Sequence, residues 1–365
     1  MDQEHPNPDA LPLIQTRKQQ YPITASLGQY LHHFGRLSQI PLVYDDLTHF
    51  EASVPYENPK GEETLWLTVA YHPETMRELR PMLTKIYAIL KIGGDLAMAE
   101  HLEVERIDFG EFGNSRPFRI RITNTFNGNS DYYYVKQADA SRIYGLELEH
   151  ILSPNRITYL VNGNTLIEEH IAGVPGDMFR RDYLPDTALN KVRIAKEFVK
   201  FGERCFARLL GDMRTVNYVV EITPDFEEVQ YRVRPIDFDQ QCYEGSLQVY
   251  RAHRFPDNQP VEDLVRSHLN KQTIIQYRCE ERSQIALRSR LARTRLTGLF
   301  STMRKDTLAP EEHFESLRKD LSARYGERFF ESCRSMGDLT ACLLYTSDAA
   351  DDFAVVWVSG VAGAG

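Results

Sequence analysis

Apolar residues recur three and four positions apart in several stretches of this chain, which is the spacing of one face of an α-helix. In one stretch, Met76, Leu79, Leu83 and Ile86 keep this spacing, and Gly93-Gly94 follows where the pattern stops. The pattern predicts a helix that starts at Ile23 and ends before Pro41, and further helices over 73–92, 138–152, 189–210 and most of 261–331.

Apolar and polar residues alternate in other, shorter stretches, and this alternation predicts β-strands. Phe118, Ile120 and Ile122, for example, fall on one face of such a strand. Asn127-Gly128-Asn129 and Asn162-Gly163-Asn164 favour tight hairpin turns, because glycine and asparagine tolerate a positive φ. The predicted strands are 65–71, 102–109, 118–126, 132–137, 157–161, 165–170, 218–222 and 229–233.

Composition narrows the class of protein that these elements build. The chain has 365 residues, of which 42% are hydrophobic, which is enough for one large domain or two lobes with their own cores. A formal net charge of −9 argues against broad nucleic-acid affinity. No apolar run reaches the roughly 18 residues of a membrane-spanning helix, and residues 1–10 lack an apolar signal core. We expect neither a membrane span nor a nucleic-acid partner.

The cysteines indicate the redox environment. The five cysteines contain no C-x-x-C pair and suggest no disulfide framework. They are typical of reduced thiols, which predicts a cytoplasmic protein without a structural zinc site.

Both ends of the chain lie outside the predicted fold. Residues 1–20 are polar and predicted to be disordered. Residues 342–365 resemble one reading frame of a transposon-end sequencing adapter, so we treat them as an artefact and leave them out of the fold prediction.

Two short motifs carry the chemistry. The first is Asp212-Met-Arg-Thr-Val-Asn217, and the second, twenty residues further on, is Ile236-Asp237-Phe238-Asp239. Phosphoryl transfer from ATP requires a carboxylate that orients the attacking hydroxyl, together with an amide oxygen and a second carboxylate that hold Mg²⁺ against the phosphates. The two motifs contain these three groups.

Because it contains these two motifs, the region from Glu103 to Gly245 resembles the protein-kinase-like superfamily. The first motif resembles the D-L-R-A-A-N catalytic loop of protein kinases. Leu210-Gly211-Asp212 and the I-D-F-D of the second motif are similar to aminoglycoside and choline-type small-molecule phosphotransferases.

The resemblance implies an α+β, bilobal protein-kinase-like fold with a small antiparallel β-lobe and a larger helical lobe. Residues 101–171 would form the N-lobe and 172–341 the C-lobe, and 21–100 would be an N-terminal helical extension.

The resemblance also implies a role for each residue of the motifs. Asp212 would be the catalytic base, and Arg214 would neutralise charge on the transferred phosphoryl group. Asn217 and Asp237 would hold Mg²⁺, a cation that prefers oxygen ligands. Asp239, which stands where kinases have glycine, would be a second metal ligand or a cap for the following segment.

The cofactor-binding residues implied by the resemblance lie upstream. Lys136 would contact the phosphates of ATP and pair with Glu147, with Glu149 as the competing partner. Glu169 and Ile171 lie in the expected hinge, where backbone groups would meet the adenine. Each of these residues also has a plain structural interpretation, such as a turn residue or a solvated side chain.

Two departures from the family pattern keep more than one function open. Leu210 and Gly211 stand where the closest relatives have His or Arg before the catalytic Asp. A full glycine-rich loop is also missing: Gly110 and Gly113 could form a short phosphate loop, but an ordinary hairpin explains them better.

Three functions therefore remain open. The sequence favours an ATP- and Mg²⁺-dependent phosphotransferase with a nucleotide and an unidentified hydroxyl-bearing small molecule or protein as partners. The alternative is an inactive pseudokinase or scaffold that could bind nucleotide. A metal hydrolase that uses Asp237 and Asp239 is a third and weaker interpretation.

Overall fold

The computed structural model describes residues 18–58, 61–91, 98–112, 114–187, 189–225, 229–326 and 328–348. Four subjects of the sequence predictions lie outside these ranges: residues 1–17, Gly93-Gly94, Gly113 and residues 349–365.

The helices are as follows: α1 Ala25–His33, α2 Pro73–Lys91, α3 Ala140–Leu152, α4 Gly176–Met178, α5 Lys191–Ala207, α6 Gln259–His268, α7 Lys271–Leu291, α8 Arg293–Met303, α9 Glu311–Tyr325, α10 Arg328–Glu331 and α11 Met336–Asp348.

The strands are as follows: β1 Ala52–Glu57, β2 Glu63–Ala70, β3 Leu102–Gly110, β4 Phe118–Asn124, β5 Ser130–Gln137, β6 Tyr159–Asn162, β7 Thr165–Glu169, β8 Val174–Pro175, β9 Tyr218–Pro224 and β10 Val229–Pro235.

Two antiparallel sheets contain these strands. Within the described ranges, seven strands form the larger sheet in the order β1-β2-β3-β4-β5-β7-β6, and three form the smaller one in the order β10-β9-β8. Gly128 and Gly163 have φ values of +71° and +55°, as the predicted hairpin turns require. The α+β class predicted from the sequence is therefore confirmed at this level.

The chain divides into two compact units. Unit 1 consists of the segment that ends at Gln20, Leu37–Ala138 and Tyr159–His170, and unit 2 consists of Tyr21–Arg36, Asp139–Thr158 and the chain from Ile171 onward. The larger sheet and α2 belong to unit 1, and the smaller sheet and the other helices belong to unit 2.

The predicted helical extension over 21–100 needs correction, because this segment is only partly helical. It contributes β1, which is not among the predicted strands, and β2, which pairs with β3 and so continues the larger sheet. The first helix also ends early, at His33. Gly35 has a φ of +66°, and the Arg36 N–H donates to the Leu31 carbonyl (2.8 Å), which is the hydrogen bond of a Schellman helix end.

The core of unit 1 lies between α2 and one face of the larger sheet. Phe118, Ile120 and Ile122 are buried on that face, and they belong to the same apolar cluster as Leu79 and Leu83 of α2. These are the residues whose spacing predicted the strand and the helix, so burial of apolar area explains both elements.

In unit 2, α5 is the central helix, and it packs against α6, α7 and β10. Ile194, Ala195 and Phe198 are among its buried residues, and Asn190 caps its first turn by accepting from the Arg193 N–H. The chain segment that carries the first motif begins directly after this helix.

Helix α3 and the second motif approach each other closely at Gly145. A Cβ added to Gly145 would lie 3.0 Å from the Phe238 Cβ and 3.1 Å from the Gln241 Cβ, which is closer than normal carbon–carbon contact. Because both neighbours are Cβ atoms fixed to the backbone, rotation of a side chain cannot relieve the contact. Glycine at this position therefore lets the second motif pack on α3.

We expect Gly145→Ala to lower the free energy of unfolding. Alanine gains about 1 kcal/mol of helix propensity, but overpacking of a fixed contact costs about 1–3 kcal/mol. Gly28→Ala in α1 is the matched control, because no atom lies within 4 Å of its added Cβ, and it should stabilise by about 0.5–1 kcal/mol. Urea unfolding followed by circular dichroism measures both changes. Equal stabilisation by the two substitutions would contradict the close contact at Gly145.

Candidate functional site

The first motif follows a backbone that reverses sharply after α5. Leu209 and Asp212 both have positive φ values, +57° and +56°. Such values are uncommon for residues other than glycine, although Asp tolerates them better than most. We call residues 208–217 loop A and residues 236–242 loop B.

Backbone hydrogen bonds tie loop A to loop B. Leu210 and Gln241 form an isolated antiparallel bridge, the Cys242 N–H donates to the Leu209 carbonyl (2.9 Å), and the Gly211 N–H donates to the Gln240 carbonyl (3.3 Å). The two loops therefore lie side by side.

The smaller sheet adds a second connection between the loops. Strand β9 begins directly after Asn217 and β10 ends directly before Ile236, and the register of this antiparallel pair places Tyr218 opposite Pro235. The Ile236 N–H then donates to the Asn217 carbonyl at 2.9 Å. Pairing of β9 with β10 thus brings the end of the first motif beside the start of the second.

The carboxylate of Asp212 is held by the rest of its own motif. Arg214 donates from Nε to Oδ1 (2.7 Å) and from Nη2 to Oδ2 (2.8 Å), which is a bidentate ion pair. Hydrogen bonding to Asp212 raises the pKa of the Arg214 guanidinium, which burial alone would lower. Arg214 and Asp212 are therefore one charge-paired group in this conformation.

The side chain of Asn217 completes this arrangement. Its Nδ2 donates to the Asp212 carbonyl (2.6 Å) and more weakly to the Asp212 Oδ2 (3.3 Å). The amide hydrogens are thus directed to Asp212, and no described residue donates to the amide oxygen of Asn217. A partly buried amide oxygen without a donor suits a hard cation such as Mg²⁺.

Two residues that no sequence pattern predicted, Asp257 and Asn258, hold loop A by hydrogen bonds. Asp257 accepts from the backbone N–H and the hydroxyl of Thr215, both at 2.8 Å. Asn258 donates to the Met213 carbonyl (2.8 Å) and accepts from the Tyr218 hydroxyl (2.8 Å). Both lie about forty residues beyond the first motif, and no local pattern connects them with it.

The carboxylates of loop B share a buried arginine. Arg142 of α3 donates from Nη1 to Asp237 and to Asp239, both at 2.8 Å, and its side chain is almost fully buried. Asp237 is 36% exposed, whereas Asp239 is largely buried. Arg142 was not predicted, although its place five residues before Glu147 puts it on the same helix. Asp239 thus has an ion-pair role, and its predicted metal role stays a prediction.

Glu147 is the centre of a buried network in unit 2. It accepts from the Tyr30 hydroxyl (2.8 Å), from Arg36 (2.8 Å) and twice from Arg295 (2.8 and 2.9 Å), and it is fully buried. Burial lowers the pKa of Arg295, but Glu147 more than offsets this and leaves that pKa raised. The network joins α1 and α8 to α3, which is a structural role for Glu147.

Glu149, the competing candidate, is buried in a similar way. Arg208 of loop A donates to its carboxylate, and so does Asn155 (3.4 Å). Burial lowers the pKa of Arg208 to about 9. Glu149 therefore ties α3 to the start of loop A.

Lys136 lies in unit 1, on β5. Its Nζ is 2.6 Å from the Glu168 carboxylate on the neighbouring strand β7, and both side chains are largely buried. The predicted pair with Glu147 would join residues of different units, and it stays a prediction.

The expected hinge coincides with a change of unit. Glu169 ends β7, and its carboxylate lies 3.5 Å from the Lys91 ammonium group. Unit 1 ends at His170, and unit 2 resumes at the largely buried Ile171. The contact of this segment with adenine stays a prediction.

Gly110 lies at the end of a hairpin strand. Strands β3 and β4 pair antiparallel with Phe109 opposite Phe118, and the Gly110 N–H donates to the Pro117 carbonyl (2.8 Å). A Cβ at Gly110 would lie 2.8 Å from the Phe112 ring, so local packing by itself explains the glycine. This agrees with the hairpin interpretation of the segment, while Gly113 lies outside the described residues.

The described residues contain neither a cluster of metal-ligating side chains nor a membrane-spanning helix. No group of three or more His, Cys, Asp or Glu side chains in the described ranges is arranged to hold a metal ion. Among the helices described, none combines the length and apolar character that crossing a membrane requires.

Comparison with known proteins adds no family assignment. The sequence matches no protein-family model and no curated protein.

We expect Glu147→Gln to lower the free energy of unfolding by about 3–5 kcal/mol, because it leaves the buried Arg36 and the partly buried Arg295 without their counter-charge. Glu74→Gln is the control: its pair with Arg77 is exposed, so the change should stay below about 0.5 kcal/mol. Chemical denaturation measures both. An unchanged stability of Glu147→Gln would contradict the structural role of Glu147.

Proposed function

We propose that this protein is an ATP- and Mg²⁺-dependent phosphotransferase of the protein-kinase-like type, acting on a hydroxyl acceptor. The observation that supports this most directly is the pairing of loops A and B. It brings the segments of Asp212, Asn217 and Asp237 together within one unit, and the Asn217 amide oxygen has no described donor. These are the three groups that phosphoryl transfer requires.

In this proposal Asp212 orients the acceptor hydroxyl and takes up its proton. Asn217 and Asp237 would hold Mg²⁺, which when bound offsets the negative charge of the phosphates. Their side chains fit this role, because both offer oxygen atoms and Asp237 is partly exposed. The backbone N–H of Asp239 would help to hold the Asp237 carboxylate in place, since it donates to Asp237 Oδ1 (3.0 Å).

Arg214 has to change partner if Asp212 is to meet a hydroxyl. Both of its contacts with Asp212 are charge-assisted hydrogen bonds, and a phosphate offers the same geometry to a guanidinium. We therefore assign Arg214 to the transferred phosphoryl group: it would leave Asp212 when the nucleotide is bound.

The residues proposed to hold the nucleotide are Lys136, Glu169 and Ile171. Lys136 is the proposed phosphate contact, and Glu168, at 2.6 Å, is a carboxylate that can orient it. Glu169 and Ile171 would offer backbone groups to the adenine. Glu147 was proposed as the partner of Lys136, and its own network supports a structural function as well.

An inactive pseudokinase or scaffold is the second candidate. It is favoured by the two arginines that hold the candidate carboxylates: Arg214 on Asp212, and Arg142 on Asp237. A protein that never binds Mg²⁺ or an acceptor would be stabilised by such pairs. In that case the nucleotide would be a ligand or would have no role.

The proposal also includes a cellular location and an acceptor for this protein. Within the described ranges none of the five cysteines is in a disulfide, which suits the cytoplasmic location that we propose. The acceptor is a hydroxyl-bearing small molecule or protein, and no described residue identifies it.

The first test is the substitution Asp237→Asn, which removes a negative charge from the proposed metal site. We expect Mg²⁺- and ATP-dependent turnover, measured as ADP release with a panel of hydroxyl acceptors, to fall about 100-fold or more. Asp263→Asn makes the same change on exposed α6 and should leave turnover unchanged. Equal turnover of Asp237→Asn and wild type would overturn the assignment of Asp237. Absence of turnover in the wild type would favour the inactive candidate.

The second test separates nucleotide binding from turnover. ATP with Mg²⁺ at about 100 times its dissociation constant should stabilise the protein by about 2.7 kcal/mol, measured as a rise in melting temperature. A rise without turnover would indicate a nucleotide-binding pseudokinase. No rise at millimolar ATP would contradict nucleotide binding and leave the scaffold.

A further inference from the structure

Unit 2 carries a group of arginines around Phe206, near the end of α5. The guanidinium carbons of Arg251 and Arg324 lie 5.7 and 5.5 Å from the centre of the Phe206 ring. Phe206 is only 6% exposed. Two cations thus share one buried aromatic ring, which holds them close to each other.

These cations lack the carboxylate partners that arginines have elsewhere in unit 2. Arg251, Arg254 and Arg324 form no ion pair with any described residue. Arg278 is 3.9 Å from the Glu203 carboxylate, which Arg282 holds more closely at 2.6 Å. We call Arg251, Arg254, Arg278 and Arg324 the Phe206 basic surface.

The effect of these charges on one another indicates that the group is compact. Burial lowers the pKa of Arg251, and the neighbouring Arg324 and Arg254 lower it further. His253 lies in the same field: burial and then the charges of Arg278 and Arg251 lower its pKa to about 4. His253 is therefore neutral at pH 7, and the charge of the surface comes from its arginines.

A basic surface is not what the overall composition of the chain, which is acidic, would lead one to expect. The sequence has 52 acidic and 43 basic residues, so arginines have many possible carboxylate partners. Repulsion between neighbouring cations destabilises the folded state unless an anion relieves it. Four arginines from three segments, the turn at 251–254, α7 and α9, offer several forked donors, which suits a ligand with several oxyanions rather than one.

We propose that the Phe206 basic surface binds a protein segment rich in carboxylates or phosphates. A peptide fits better than a duplex nucleic acid because the formal net charge of the chain is −9, and it fits better than a single strand for a further physical reason. Single-stranded nucleic acid is held largely by stacking of its bases on exposed aromatic rings. Here the Phe206 ring is buried and two guanidinium groups lie on it. Charge, and not stacking, is what this surface offers.

The test measures binding of a fluorescein-labelled decaglutamate peptide by fluorescence anisotropy, at about 0.15 M salt where weak long-range attraction is screened. We expect saturable binding that weakens at least about tenfold in the double variant Arg251→Gln, Arg324→Gln. Arg77→Gln with Arg80→Gln removes the same charge from the exposed side of α2 and should change the affinity less than twofold.

Three results would overturn the proposal: no binding of decaglutamate to the wild type, equal weakening in the two double variants, or tighter binding of an oligothymidylate of equal charge. If the double variant does not fold, Arg254→Gln is the substitute, because its side chain is exposed and has no ion pair to lose. It should weaken binding severalfold, and an unchanged affinity would also count against the proposal.

Discussion

The antiparallel pairing of β9 with β10 is the constraint on which the candidate site depends. Because Asn217 directly precedes β9 and Ile236 directly follows β10, the register of this short sheet brings the two motifs together. The bridge between Leu210 and Gln241 then fixes loop A against loop B. A shift of one residue in the register would turn every side chain of β10 to the opposite face and separate the motifs.

Buried ion pairs are the second feature that fixes the structure of unit 2. Three carboxylates of this unit, those of Glu147, Glu149 and Asp239, are each held by at least one arginine. Such pairs add little stability by themselves, but loss of one partner is costly, so they select one arrangement of α3. The Phe206 basic surface stands out against this background because three of its four arginines, Arg251, Arg254 and Arg324, form no ion pair with a described residue. Pairing of arginine with an oxyanion, which stabilises the interior of unit 2, is thus available to a ligand at that surface.

Much of the secondary structure could be predicted from local pattern, and particular residues explain both success and failure. Phe118, Ile120 and Ile122 alternate with polar residues and lie in a buried strand face, as expected. The spacing of the apolar residues from Met76 to Leu90 gave α2 correctly. The strand β1 was missed because Pro55, Pro59 and Gly61 are typical of a loop, and only pairing with β2 makes the segment 52–57 a strand.

The sequence by itself determined most of the segments that are helix or strand, and which residue types suit phosphoryl transfer, because periodicity and motif spacing are local properties. Only the tertiary structure decided which side chains form ion pairs and hydrogen bonds with these residues. Arg142 and Asp237 are 95 residues apart, and the pair depends on how α3 packs beside loop B at Gly145. Asp257 holds Thr215 from 42 residues away. Such contacts are selected by burial and charge compensation in the folded chain, and no spacing in the sequence encodes them.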